Sequence, residues 1–103
     1  MRNVDEVVQE VLSGFESTGY AEVPGYARFG FHKRTDSRVF VLRRNGNTAA
    51  IPNRTLAKAI EAVRKDQSVY RGGPSRLREF GITHIASPTW AILHVVPLSR
   101  LIN

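Results

Sequence analysis

The chain of 103 residues has no cysteine. Thiol nucleophiles, disulfide bridges and cysteine-ligated zinc are therefore excluded, and a reducing compartment is compatible. Long apolar runs are also missing, and Met1-Arg2-Asn3 leads directly into Val4-Asp5-Glu6 without the apolar centre of a signal peptide. We therefore expect a soluble, cytoplasmic protein with no membrane partner. Internal repeats and low-complexity segments are absent. Gly72-Gly73 is not followed by Gly-Lys-Ser/Thr, so it reads as a hinge rather than a phosphate loop. The three histidines, His32, His84 and His94, are not paired at i,i+4, and no carboxylate stands at a recognised offset from them. No metal and no cofactor are expected.

Acids are scarce relative to bases. Nine Asp and Glu stand against 15 Lys and Arg, leaving a net charge of +6 and a pI near 10.5. Such a surface favours polyanions, with nucleic acid (RNA or DNA) as first candidate and an acidic protein as second. A hydrophobic content of 42% supports one globular domain over 1–103, with 1–66 as an α-β-β-β-α core and 67–103 as a C-terminal extension.

Val4, Val7, Val8, Val11, Leu12 and Phe15 fall at helical spacing, with Asn3 placed to cap, Asp5-Glu6 in the first turn and Gly19 at the end. The outer side of this helix is acidic, which argues against contact with phosphates. Tyr20 to Gly25 reads as a linker or edge segment ending in the Pro24-Gly25 turn. Tyr26 to Lys33, Arg38 to Arg44 and Asn47 to Ile51 then read as a three-stranded antiparallel meander. It turns at Thr35-Asp36-Ser37 and at Asn45-Gly46, the preferred dipeptide for a two-residue hairpin because both positions need φ > 0.

That register gives one face of Ala27, Phe29, Phe31, Val39, Val41 and Ala50. It gives another of Arg28, Gly30, His32, Arg34, Arg38, Phe40, Leu42, Arg44 and Ile51. The first is the natural core. The second mixes cations with an aromatic ring, as a surface that meets phosphates and stacks a base does. Alternatively, Phe40, Leu42 and Ile51 lie under a second layer and the arginines rim it.

Pro52-Asn53 ends the meander. Asn53 is placed to cap a basic helix with Leu56, Ala59, Ile60 and Val63 on one side and Arg54, Lys58, Arg64 and Lys65 around it. Backbone amides at a helix start attract phosphate, and Arg54 and Lys58 stand beside that end. Pro74 suits the first position of a short helix closed by Gly81, and Arg71, Arg76 and Arg78 form a second basic cluster. Short C-terminal helices complete an α+β fold. Residues 88–96 read as either a helix after Ser87-Pro88 or a buried strand, with helix preferred and Trp90 in the core.

His32 is the candidate catalyst. On the cationic face it could act as general base toward a ribose 2′-hydroxyl while arginines stabilise the phosphorane charge. His94 reads as a core or interface residue, and His84 as either kind.

The order helix, three strands, helix over Val4 to Asp66 resembles that of double-stranded-RNA-binding domains. Gly30-Phe31-His32, Asn45-Gly46, Ile51-Pro52 and the basic helix together look like the HicA-type mRNA interferase toxins of toxin-antitoxin systems. The resemblance implies that His32 takes the place of the catalytic histidine of their Gly-Ser-His motif; Phe31 stands where that family has serine. Pro74 to Ile82, Trp90, Val96-Pro97 and Arg100 resemble the second half of Cro-like helix-turn-helix repressors, which implies DNA-binding regulation.

The expectation is therefore a small basic nucleic-acid-binding protein that contacts the sugar-phosphate backbone through Arg28, Arg34, Arg38, Phe40, Arg44, Arg54, Lys58, Arg76 and Arg78. If it is an enzyme, it is a metal-independent ribonuclease using His32. The alternatives are a phage- or plasmid-type inhibitor of a larger nucleic-acid-processing complex and a helix-turn-helix-like regulator.

Overall fold

Asn3 starts the first helix as its position suggests. Its backbone is extended and its side-chain oxygen accepts from the Asp5 N–H at 2.8 Å, which satisfies one of the donors a helix start leaves free. Helix α1 (Val4–Thr18) buries Val7, Val8, Val11, Leu12 and Phe15 on one stripe. It stops at Gly19, whose φ of +87° and N–H to the Phe15 carbonyl form a left-handed cap. This is a computed structural model describing residues 1–103.

Four strands follow: β1 (Tyr20–Ala21), β2 (Phe29–Arg34), β3 (Arg38–Leu42) and β4 (Thr48–Pro52). They pair in chain order, all antiparallel. The meander is present, with one strand more than expected. Tyr20–Ala21, read as a linker or edge segment, pairs with Gly30 and Phe29. Tyr26 to Arg28, expected in the next strand, instead lie outside it after the Pro24-Gly25 turn, which the Tyr26 N–H closes on the Val23 carbonyl at 2.9 Å.

The second hairpin also falls where Asn45-Gly46 placed it, but its turn differs. Only Gly46 has positive φ (+89°), and no non-glycine residue does. The Gly46 N–H reaches the Arg43 carbonyl and the Arg43 N–H reaches the Asn47 carbonyl, so the loop is a turn over Arg44-Asn45 followed by a left-handed glycine. The odd loop length shifts pairing by one residue, giving Leu42 opposite Thr48 and Val39 opposite Ile51. Because side chains alternate along a strand, the shift exchanges the faces of β4. Ile51, expected on the cationic face, is fully buried; Ala50, expected in the core, joins Phe40 on the outer face.

A second irregularity lies in β2. Phe31 pairs with Val41 but Lys33 pairs with Phe40, leaving His32 as the extra residue of a bulge. Past the bulge Lys33 is outward and Arg34, paired with Val39, is on the helix side. Arg34 therefore does not share the face of Arg28 and Arg38. Its Nε lies 3.1 Å from Glu16 Oε1 on α1.

Helix α2 (Asn53–Lys65) follows β4 without a loop and buries Leu56, Ala59, Ile60, Ala62 and Val63. Asn53 is its first residue rather than its cap. The Asn53 backbone N–H donates to the Ser37 carbonyl at 2.8 Å and its side-chain amide to the Asp36 carbonyl at 3.0 Å, tying the helix start to the first hairpin. The remainder comprises α3 (Ser68–Arg71), a 3-10 segment (Pro74–Phe80) capped by Gly81, α4 (Ala86–Leu93) and α5 (Leu98–Ile102).

The ambiguous tail is therefore helical up to Leu93. Residues Pro88 to Leu93 are all buried because α4 is surrounded by its neighbours. Trp90 is 2% exposed and its indole N–H donates to the Val69 carbonyl at 3.0 Å. Val69, Leu77, Trp90 and Leu101 share one apolar cluster with the buried residues of α1, α2 and the sheet. Helices thus cover one face of the sheet and leave the other open.

Candidate nucleic-acid interface

Pairing fixes which side chains share the open face. One row runs Tyr20, Gly30, Leu42 and Thr48; the next runs Lys33, Phe40 and Ala50; the last holds Arg38 and Pro52. None of these strand positions is a carboxylate. Tyr20 and Leu42 are exposed, at 38% and 42%, and Phe40 is half-buried. Lys33 Nζ stands 5.0 Å from the Phe40 ring centroid. Arg28 and Arg44 flank the row of Gly30 and Leu42 and, with Arg43, border a shallow depression over that pair. A strand rise of about 3.4 Å per residue sets Arg38 and Leu42 roughly 14 Å apart, with Arg44 in the turn beyond Leu42, so Arg38 and Arg44 stand at opposite ends of the face.

The acids of the chain lie mostly elsewhere and neutralise other cations. Glu10 Oε1 and Oε2 accept from Arg2 and Arg100 at 2.6 to 2.8 Å, joining the two ends of the chain. The Arg100 hydrogen bond is the largest cause and, with that of Arg2 and the charge of both guanidinium groups, holds the Glu10 carboxyl down from 4.5 to about 2 against an upward push from burial that exceeds the Arg2 bond alone. Asp66 and Glu79 both engage Arg76, at 3.0 and 2.7 Å, and Ser68 donates to Asp66 as well. These contacts lower the Asp66 carboxyl, with the Ser68 hydroxyl as the largest cause, and raise Arg76 through its bond to Asp66. Arg28 alone on the open side has an acid nearby, Glu22 at 3.9 Å. Lys33, Arg38, Arg43, Arg44, Arg54, Lys58 and Arg78 have no carboxylate partner within 4.0 Å.

The sequence-derived residues thus separate into groups. Arg28, Arg38, Phe40 and Arg44 come together on or beside the open face. Arg54 joins Arg38 at the α2 start, where Ser37, Pro52 and Asn53 complete a shallow pocket. The first free amide there is already taken by Ser37. Lys58 lies one turn further along α2, beside Arg54, Thr55 and Glu61. Arg34 is turned to α1, and Arg76 is held among Asp66, Ser68 and Glu79. Arg78 is exposed on the 3-10 segment, away from the sheet strands. Lys33 and Tyr20 are the members sequence reasoning missed; Arg43 turns the other way, its guanidinium carbon 6.0 Å from the Phe29 ring centroid on the helix side. Lys33 follows from the bulge, and Tyr20 from the short β1 strand.

His32 is exposed at the bulge. His84 is exposed in the loop before α4. His94 is a structural residue: its ring stacks on Tyr70 at 3.9 Å, and its two nitrogens lie 2.9 and 2.7 Å from the Trp90 and Tyr70 carbonyl oxygens. No three His, Asp or Glu side chains gather into a group that could hold a metal ion. No helix is long and apolar enough to cross a membrane. Comparison with protein-family models, with curated proteins and with solved structures found no match to this chain.

Proposed function

We propose that this protein binds nucleic acid on the open face of its sheet, neutralising phosphates with Arg28, Lys33, Arg38 and Arg44 around Phe40. The supporting observation is the composition of that face: cations at both ends and in the middle, exposed ring and aliphatic surface between them, and no carboxylate at any outward strand position. Phosphate binding releases counterions, so affinity falls linearly on a log-log salt plot. Fluorescence-anisotropy titration of labelled RNA and DNA at two salt concentrations tests the reading. Binding that weakens with salt supports it, and no binding at low salt removes it.

A second reading, RNA cleavage without a metal, is favoured by one observation. His32 is the extra residue of a bulge beside Lys33, and bulges recur where a strand re-aims a side chain near an active site. In this reading His32 takes the proton of a ribose 2′-hydroxyl, whose oxygen bonds to the adjacent phosphorus and displaces the 5′-oxygen, which takes a proton from water, while neighbouring cations stabilise the charge that develops on the phosphate. The two readings share the open face and differ in whether RNA is consumed.

A further inference from the structure

Gly30 occupies the interior of β2, paired with Tyr20 of β1 on one side and Leu42 of β3 on the other. Glycine there weakens a strand, because it loses more backbone freedom on folding and contributes no packing. Two common structural reasons for it are absent. Its φ is not positive. A Cβ built at this position would meet only Leu42, with Cβ at 3.6 Å and the carbonyl oxygen at 3.9 Å, which is ordinary contact. The fold therefore tolerates a side chain, and what the glycine supplies is the space above it.

That space has a defined border. Leu42 flanks it on one strand and Tyr20 on the other, both exposed. Arg28 lies with its guanidinium carbon 3.9 Å from the Tyr20 ring centroid, so a flat cationic group covers that side. Arg44 closes the end toward the β3–β4 loop and has no carboxylate partner, whereas the Arg43 side chain turns to the helix side, its guanidinium carbon 6.0 Å from the Phe29 ring centroid. Flat π-faced and guanidinium surfaces opposite an apolar flank accept a planar base, and Arg44 matches a flanking phosphate.

We infer that the depression over Gly30 is a subsite for one unpaired base of a single-stranded nucleic acid. The Gly30 backbone is its floor, Leu42 and the Arg28–Tyr20 stack are its walls, and Arg44 holds an adjoining phosphate. A duplex, whose bases are stacked and paired, does not reach this subsite and is held only through its phosphates. The inference rests on the proposed binding face and adds to it the strand form that the face selects.

The test compares Gly30→Val with the unaltered chain, using a labelled 12-nucleotide single-stranded RNA, the DNA of the same sequence and the corresponding RNA duplex. Valine favours strands and fills the depression, so the variant is expected to melt at the same or a higher temperature. The unaltered chain is expected to prefer the single strands. Gly30→Val is expected to weaken single-strand binding by roughly tenfold or more, the range of one base-stacking contact, while duplex binding stays within about twofold. A greater affinity for the RNA than for the DNA single strand would place the 2′-hydroxyl in the subsite as well; equal affinities leave the base and phosphate as its ligands.

If the chain binds but Gly30→Val binds single strands equally well, the subsite is overturned and the binding face stands. If the chain binds no strand form, both are overturned. Should Gly30→Val fail to fold, Tyr20→Leu keeps the apolar bulk and removes the ring. A loss confined to single strands then supports the subsite, and an unchanged affinity overturns it.

Discussion

Arg28 lays its guanidinium over Tyr20 at 3.9 Å while its distance to the Glu22 carboxylate is also 3.9 Å, too long for a hydrogen bond. Stacking rather than ion pairing orients this arginine, and its donors remain free toward solvent. The relation exists because the two-residue β1 strand brings Tyr20 opposite Gly30, a position with no side chain to stand between them.

Replacing Arg28 therefore separates its flat shape from its charge. Arg28→Lys keeps the charge and loses the plane, and is expected to weaken single-strand binding by about threefold, the scale of an exposed cation–π contact, with an unchanged salt slope. Arg28→Ala is expected to reduce the slope by about 0.7 as well, one phosphate on a single strand. Equal slopes for all three proteins would mean that Arg28 touches no phosphate.

His32 lends itself to a direct kinetic check. If the chain cleaves RNA, His32→Ala is expected to lower the rate by about 100-fold or more, the usual contribution of a general base, while binding measured by anisotropy changes less than about twofold. RNA degradation at equal rates by both proteins would remove His32 from the chemistry.

The acid limb of stability depends on Glu10. Its folded carboxyl titrates near 2 rather than 4.5, so it contributes stability that is complete above about pH 4.5 and is lost as pH falls toward 2. The group is only partly shielded, at 27% exposure, so about 1 kcal/mol is a realistic ceiling after solvent screening. Glu10→Gln is expected to lower the melting temperature at pH 7 and to flatten its decline between pH 4.5 and 2. Parallel melting curves across that window would show that the pair with Arg100 carries no stability.

Trp90 ties the C-terminal helices to the rest of the core. Trp90→Phe removes the donor to the buried Val69 carbonyl and leaves space beside Tyr26, whose ring centroid is 4.8 Å away. A loss of about 2 kcal/mol is expected from the unsatisfied acceptor and the cavity together, read by urea unfolding followed by circular dichroism. A change below about 0.5 kcal/mol would mean that this hydrogen bond and the indole packing are dispensable.

Much of the architecture was legible because its signals are local. Asn3, the valine spacing and Gly19 define α1, and Asn45-Gly46 locates the second hairpin. What escaped was parity. Whether a loop holds two residues or three, and whether a strand carries a bulge, depends on hydrogen bonds across strands that residue types do not encode. Those two parities sent Ile51 into the core and Ala50 out, and turned Arg34 toward Glu16. The candidate face survived them in β3, where Arg38, Phe40 and Leu42 keep the alternation. Arg76 illustrates a different limit: a cation beside other cations reads as a patch until Asp66, ten residues earlier, folds back onto it.

The central claim is that the open sheet face binds nucleic acid through its uncompensated cations. Its most direct test is anisotropy titration of a single-stranded oligonucleotide, across a salt series, with the unaltered chain and with the double variant Arg38→Glu/Arg44→Glu. The account predicts micromolar or tighter binding by the unaltered chain, weakened at least about tenfold in the variant, with the salt slope reduced by about 1.4 for two lost phosphates. Equal affinity and equal slope for the two proteins, or no binding by either at low salt, would contradict it.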